Sequence, residues 1–275
     1  MKDSTIAFIG GGNMARSLVG GLIAGGCQGT RIHVSDHDEA KLQALQASFG
    51  VNVHRDNHQA AGPADVVVLA VKPQALHEVS AELAATLRER RPLVMSIAAG
   101  IREAALQRWL GGDRAIVRVM PNTPALVQSG ASVLYANSLV TDDQRDLAES
   151  IMRTVGLTLW VDDEDLMDPV TALSGSGPAY IFLIMEALEQ AGEKLGLSRE
   201  MARLLTLQTT FGAAKMALES SEDVALLRQR VTSPGGTTEQ ALKVLEQGGL
   251  RRLMDDALAA ACRRSRELAE LLGKN

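Results

Sequence analysis

Two glycine-bearing stretches hold the residues best suited to chemistry. The first is Ile9-Gly10-Gly11-Gly12-Asn13-Met14-Ala15, which follows the apolar run Ile6-Ala7-Phe8-Ile9. The spacing Gly10-x-Gly12-x-x-Ala15, set between a strand and a helix, is that of a dinucleotide-binding turn with alanine in the third glycine slot. Gly10 allows the tight turn, Gly12 lets a pyrophosphate approach the backbone, and Ala15 lets the helix lie close on the strand. The helix N-terminus then offers free N–H groups and a positive dipole end to the phosphates. The second stretch is Thr232-Ser233-Pro234-Gly235-Gly236-Thr237-Thr238, ahead of the apolar positions Ala241, Leu242 and Leu245. It reads as a helix N-terminus able to hold a small carboxylate. A plain helix–helix turn capped by Ser or Thr is the competing reading of this stretch, and of Ser174-Gly175-Ser176-Gly177-Pro178 as well.

Other catalytic sets are missing. The histidines, His33, His37, His54, His58 and His77, all lie in the first third of the chain, and none has an obvious Ser or Asp partner. No Cys/His spacing suggests a metal site. Lys194 and Lys215 sit mid-helix and away from the glycine motifs. The chemistry therefore has to need little acid–base help. Hydride transfer to an already electrophilic C=N bond fits, because a nicotinamide does the hard step.

The elements that position these residues follow from hydrophobic periodicity. The first half alternates strands near 6–9, 31–35, 51–53, 65–71, 93–97 and 115–120 with helices, including 38–49 and one begun by Pro73. This rhythm implies an α/β, doubly wound sheet with right-handed crossovers. Two more strands, 132–135 and 158–161, flank a helix over 142–154. Ligands of such sheets bind outside the carboxyl ends of the strands. The candidates there are the first glycine turn, Ser35 and Asp36, Ala70 to Pro73, Ile97 to Gly100, and Met120 to Pro124. Asp36 lies a little beyond the usual ~20 residues from the glycine turn. An acid there would bind a ribose 2′-OH and repel a 2′-phosphate, whereas Ser35, His37 or Arg55 could sit near a phosphate. After Val161 no strand-like run remains, and Asp162-Asp163-Glu164-Asp165 reads as an exposed boundary. We expect a nucleotide-binding domain over 1–161 and an all-helical domain over 162–275. In the latter, Tyr180 to Met185 are apolar on every side of their helix, which calls for burial all round and hence for a partner chain. The last helix carries a one-sided stripe from Leu250 to Leu272.

Composition bounds the function. The chain has 275 residues, 46% hydrophobic, and a net charge of −5, which argues against nucleic acid or an anionic membrane as a partner. The two cysteines, Cys27 and Cys262, suit a reducing cytoplasm, each as a small buried hydrophobe. Met1-Lys2-Asp3-Ser4 leads straight into a strand, so no signal peptide is expected. No apolar run is long enough to span a bilayer. The basic run 88–91 reads as a solvated helix end.

Several motifs in one order carry a resemblance that covers nearly the whole chain. They are Phe8-Ile9-Gly10-Gly11-Gly12-Asn13-Met14-Ala15, Ala70-Val71-Lys72-Pro73, Met120-Pro121-Asn122-Thr123-Pro124, Leu173-Ser174-Gly175-Ser176-Gly177-Pro178-Ala179-Tyr180 and Ser233-Pro234-Gly235-Gly236-Thr237-Thr238. With these the chain resembles the Δ1-pyrroline-5-carboxylate reductases. The resemblance implies a Rossmann-type domain followed by an all-α dimerisation domain, and NAD(P)H-dependent hydride transfer to a cyclic imine giving L-proline. It implies that Thr238 hydrogen-bonds the ring nitrogen and acts as the catalytic residue. Val231, Ser233, Gly235, Gly236, Thr237 and Thr238 would bind substrate, and Glu164 would approach it from a neighbouring subunit. Ile9, Gly10, Gly11, Gly12, Asn13, Met14, Ser35, Asp36, Asn57, Ala70, Val71, Lys72, Pro73, Ile97, Ala98, Ala99 and Asn122 would meet the cofactor, NADP or NAD. An interlocked homodimer, assembling to a decamer, is implied too. One departure matters: Asp36 stands where NADPH-using relatives place a small or basic residue, so we expect both cofactors to work. The competing readings are a β-hydroxyacid dehydrogenase, which would need a lysine behind a glycine motif that Ser174 to Ala179 lacks, and a non-catalytic NAD(P)-binding regulator.

Overall fold

The computed structural model describes residues 4–274. Met1, Lys2 and Asp3, on which the expectation of a chain without a signal peptide rests, lie outside the described residues. The elements run β1 (Ile6–Ile9), α1 (Asn13–Ala24), β2 (Ile32–Ser35), α2 (Glu39–Phe49), β3 (Asn52–His54), α3 (Asn57–Ala61), β4 (Val66–Leu69), α4 (Leu76–Arg90), β5 (Leu93–Ser96), α5 (Glu103–Trp109), β6 (Ile116–Met120), β7 (Gly130–Ala136), α6 (Asp142–Arg153) and β8 (Gly156–Val161). Helices α7 (Met167–Val170), α8 (Gly177–Lys194), α9 (Arg199–Glu219), α10 (Val224–Arg230), α11 (Thr237–Gln247) and α12 (Leu250–Leu272) follow. The expected strands and long helices are all present. Strand β3 sits one residue later than the spacing suggests, and Pro73 opens a short 3-10 turn, Pro73–Ala75, before α4. The brief helices α3 and α5 leave too few turns for a periodic signal.

The eight strands form one sheet in the order β3-β2-β1-β4-β5-β6-β7-β8. Strands β1 to β6 are parallel, β7 runs antiparallel to β6, and β8 is parallel to β7. The reversal has a physical cause. The connection from β6 to β7 holds only a short 3-10 turn, Thr123–Val127, and a parallel return needs a crossover of a dozen or more residues. Strands β1 and β4 are buried along their whole length, as a central parallel strand requires. Ile6, Phe8 and Val34 pack with Leu18, Leu22 and Ile151 on one face. Ala7, Ile9, Val67 and Leu69 pack with Leu83, Leu87, Ile101 and Leu106 on the other. Local signals set the helix ends: Asp38 caps α2, and Gly50 closes it in the left-handed region at φ 64°.

Contacts separate the chain into two units. One holds the residues up to Ser176 together with those from Ala260, and the other holds Gly177–Ala259. The first thus takes in the short helix α7, the π-helical turn Thr171–Gly175 and the end of α12. In the second unit α8 packs on α9, and Ala202 and Thr206 of α9 are buried. Ile181, Phe182 and Leu183 of α8 stay 44%, 63% and 66% exposed. The stripe along α12 is divided as well: Ser265 and Ala269 are buried, whereas Leu250 and Leu253 are not.

Candidate active site

The first glycine turn is fixed by its neighbours on the sheet. The Gly10 N–H donates to the Ser35 carbonyl at 2.8 Å. Gly10 has φ 105°, and a Cβ there would stand 2.8 Å from the Ala70 carbonyl oxygen. Both the left-handed backbone and the close approach to β4 therefore require glycine. Gly12 is the N-cap of α1 with no side-chain hydrogen bond, and the space its Cβ would fill is open for 4 Å. Ala15 is buried in the core. The first turn of α1 is thus uncapped and faces free space, the geometry that accepts a pyrophosphate.

A cleft of about 430 Å³ opens at this turn. Gly10, Gly12, Ser35, Asp36, Asn57, Ala70, Val71 and Lys72 line it, as the sequence suggests for a cofactor site. His37, Arg55, Lys41, Ala75 and Val79 line it too. The last three were missed, although Lys41 was within reach, since it lies on the first turn of the helix that follows β2. The Asp36 carboxylate is engaged inside the protein. It accepts the Gly11 N–H at 2.8 Å and the Asp38 N–H at 2.9 Å. Its side chain is only 7% exposed, with Lys41 Nζ at 3.9 Å. Ser35 Oγ donates to Asn57 Oδ1 at 2.7 Å, and Asn57 Nδ2 donates to Glu82 at 3.2 Å. This chain of bonds ties the end of β2 to α3 and α4.

The remaining cofactor candidates are placed differently. The Ile9 side chain is buried, and its carbonyl accepts from Ala70 N–H at 2.8 Å. Asn13 and Met14 begin α1, and Pro73 follows Lys72 into the 3-10 turn. Ile97, Ala98 and Ala99 follow β5 at the carboxyl end of the sheet, outside the lining of the cleft. Asn122 is outside it as well. Its Oδ1 accepts from Ala131 N–H at 2.9 Å, and its Nδ2 donates to Ser174 Oγ at 3.3 Å, so it ties the loop after β6 to the Ser174-Gly175 turn. Gly175 leaves room for the Met120 side chain, which a Cβ would strike.

Glu164 lies in a polar cluster of its own chain. Its Oε1 accepts from Arg118 Nη1 at 2.6 Å and from the Glu103 N–H, at the start of α5, at 2.6 Å. Burial, with the charges of Glu164 and Glu103 next, holds the Tyr135 hydroxyl above its usual pKa. Nearby, Asp165 bonds Arg102 at 2.7 Å, which raises the Arg102 pKa. Ser265 Oγ donates to Asp168 at 2.6 Å, fastening the end of α12. Elsewhere on the surface, the exposed side chains Asp56, His58 and Glu82 bring three donor atoms within 4.8 Å, with His58 Nδ1 also 2.7 Å from Thr86.

In the second unit the segment 233–236 turns into α11. Gly236 is the N-cap, again without a side-chain bond. The Gly236 N–H donates to the Ser233 carbonyl at 3.0 Å, and the Gly235 N–H to Glu239 Oε2 at 2.7 Å. These two amides are therefore occupied, and the N–H groups of Thr237, Thr238 and Glu239 remain at the uncapped first turn. Gly235 stands at φ 70°, which a residue with a Cβ would resist. Thr238 is half-buried, while Ser233 and Val231 are exposed.

Residues 164–268 match the family model described as pyrroline-5-carboxylate reductase dimerisation, and residues 5–100 match the one described as NADP oxidoreductase coenzyme F420-dependent. The chain is 53% identical over 274 residues to the pyrroline-5-carboxylate reductase of Pseudomonas aeruginosa, covering 100% of both. It superposes on a pyrroline-5-carboxylate reductase from Coxiella burnetii with TM-score 0.93 and 56% identity, over 97% of this chain and 98% of that one. On the Plasmodium falciparum pyrroline carboxylate reductase with NADP bound, the TM-score is 0.87 at 31% identity, over 98% and 99% of the two chains.

Proposed function

The chain belongs to the pyrroline-5-carboxylate reductase family, and on that premise we propose how its own residues carry the reaction. The protein is an NAD(P)-dependent reductase that converts Δ1-pyrroline-5-carboxylate to L-proline. The glycine turn fits a dinucleotide: Gly12 leaves open space beside an uncapped helix start, and Gly10 admits no Cβ. When bound, the reduced nicotinamide supplies the hydride.

The chain's residues then have separate tasks. The N–H groups at the start of α1 hold the pyrophosphate, with Gly10, Gly11, Gly12, Asn13 and Met14 at the turn. Asp36 holds that turn through Gly11. Ala70, Val71, Lys72, Pro73, Ile97, Ala98 and Ala99 meet the cofactor from the carboxyl ends of β4 and β5. The uncapped amides of Thr237, Thr238 and Glu239 hold the substrate carboxylate. The Thr238 hydroxyl can donate to, or accept from, the ring nitrogen as that nitrogen gains its proton. Its own pKa is far too high for it to be the acid, so the proton arrives with the iminium or from water.

Both NADPH and NADH serve in this reading. Asp36 opposes a 2′-phosphate, while Lys41 and Arg55 in the same cleft favour one. We place the functional boundary at 161/162, in keeping with a dimerisation match that begins at residue 164. We also assign a cytoplasmic location, supported by two unbridged cysteines, and a homodimer, supported by the dimerisation match and the exposed apolar α8, with assembly to a decamer following from the family resemblance alone. No helix among the described residues is long and apolar enough to cross a membrane.

The observation that carries the reading is the uncapped helix start at Gly12, beside the cleft. The test follows absorbance at 340 nm with purified protein, pyrroline-5-carboxylate, and NADPH or NADH in turn. Loss of absorbance with L-proline formed supports it. A folded protein that binds cofactor without turnover sinks it.

A further inference from the structure

Arg114 is 3% exposed, and among the described residues its guanidinium has no carboxylate partner. Its Nε is buried without a hydrogen-bond partner. A guanidinium cannot shed its proton to escape burial, so a charge left in this way calls for a counterion. The fold holds the residue firmly. Gln107 Oε1 accepts the Arg114 N–H at 3.2 Å, and Gln107 Nε2 and Asn137 Nδ2 donate to the Arg114 carbonyl at 2.8 and 2.9 Å. The backbone is satisfied, and the side chain is not.

Two further arginines stand near it. Arg88 is in the last turn of α4, and Arg91 is the C-cap of that helix. Their charges, after burial itself, hold the Arg114 pKa below its usual value. Neither has an ion pair among the described residues, whereas Arg90 between them takes Asp65 at 3.3 Å. Gly111 turns at φ 79°, and a Cβ there would stand 3.4 Å from Arg88 Nη2. The loop after α5 thus reaches the Arg88 guanidinium, and Asp113 on that loop offsets part of the positive charge. Arg91 and Arg114 precede β5 and β6 by two residues. The cluster therefore lies at the amino ends of these parallel strands, and the cleft at the glycine turn lies at the carboxyl ends.

We propose that Arg88, Arg91 and Arg114 form a second anion site, which takes a phosphate dianion, either free or carried on a small phosphomonoester. Three arginines set against one aspartate suit a dianion better than a single carboxylate. Planar guanidinium forks grip phosphate oxygens in pairs, and phosphate offers enough oxygens for more than one fork. The occupant supplies the counterion that Arg114 lacks, and so stabilises the folded nucleotide-binding unit by mass action.

The test is calorimetric titration of the full chain with inorganic phosphate and, separately, with glycerol 3-phosphate. Ionic strength is held constant with chloride, and excess NADH fills the cleft at the glycine turn. Saturable binding to the parent is expected, and the tighter of the two ligands identifies the source of the phosphate. Arg88→Gln/Arg91→Gln should weaken binding at least tenfold, with turnover and the Tm in chloride unchanged. Arg114→Met should abolish binding. In chloride alone it should hold or raise Tm, because it removes an unpaired buried charge. Phosphate should raise the Tm of the parent and leave that of Arg114→Met where it was. Absence of saturable binding to the parent overturns the site, as does an unchanged affinity in the folded Arg88→Gln/Arg91→Gln chain. A Tm of Arg114→Met that falls as far below the parent in chloride as in phosphate shows that the protein itself satisfies the arginine, and overturns the site too.

Discussion

The Asp36 carboxylate accepts the backbone N–H of Gly11 at 2.8 Å. One side chain at the end of β2 thereby fixes the turn that follows β1, and its negative charge stays beside the cleft that opens there. Anchoring and repulsion are separable, because an amide oxygen can still accept from Gly11 while carrying no charge. The amide nitrogen would then face the Asp38 N–H, which donates to the other carboxylate oxygen at 2.9 Å, so Asp36→Asn should raise the NADPH/NADH ratio of kcat/KM with a loss for NADH smaller than that of Asp36→Ala. Asp36→Ala should raise KM for both cofactors by roughly tenfold or more, as expected for loss of a charge-assisted bond worth about 1.5–3 kcal/mol. Steady-state kinetics with both cofactors decides. An unchanged ratio in Asp36→Asn removes the repulsion.

Glu164 joins Arg118 to the start of α5 with two bonds of 2.6 Å. Its side chain is 18% exposed and that of Arg118 is 9% exposed, so the pair is largely out of water. Removing one partner leaves a poorly solvated charge, which costs about 3–5 kcal/mol. Arg118→Met should therefore lower Tm by several degrees. Glu164→Gln should destabilise less, since it can still accept from the Glu103 N–H. Thermal unfolding checks the first effect. If Glu164→Gln leaves Tm unchanged but raises KM for substrate, Glu164 acts on substrate and not through this pair.

Much of this was legible because the relevant signals are local. A continuous apolar run into Gly10-x-Gly12 marks a buried strand and an uncapped helix, and β1 and α1 fall there. Asp38 and Gly50 bracket α2 for the same reason. What could not be read depends on contacts distant in sequence. Nothing near Asn122 announces that it bonds Ala131 and Ser174, and nothing near Glu164 announces Arg118. The reversal of β7 was hidden because alternation signals a strand without giving its direction. The incomplete burial of α8 was legible in advance, since an all-apolar girth already implied a partner.

The rings of His33 and His54, on adjacent strands β2 and β3, stack at 5.1 Å, with Nδ1 of one 2.9 Å from Nε2 of the other. One must donate and the other accept, so the bond needs at least one neutral ring. Burial, with the neighbouring His54 next, holds the His33 pKa below its usual value of 6.5. The sign follows. Above pH 6.5 both folded and unfolded chains are neutral here, and stability is full. As pH falls below 6.5 the unfolded chain takes up the proton first, so stability is lost until the folded form protonates too. Tm should therefore decline below pH 6.5, and His33→Gln should flatten that part of the profile. A profile identical in the variant would remove the pair as the cause.

Thr238 occupies the first turn of α11, where Gly235 is held by Glu239 and the following amides are uncapped. If its hydroxyl serves the ring nitrogen only as charge changes there, its loss should fall on kcat more than on KM. Thr238→Ala should lower kcat roughly 10- to 1000-fold, as for one transition-state hydrogen bond, and Thr238→Ser should recover most of it. Glu239→Ala should act in the opposite way. It frees the Gly235 N–H and loosens the turn that presents the amides, so KM for the carboxylate substrate should rise with kcat less affected. Kinetics on the three variants, with circular dichroism to confirm folding, makes the comparison. A Thr238→Ala enzyme with unaltered kcat would take that hydroxyl out of the mechanism and leave α11 only the proposed role of its uncapped amides.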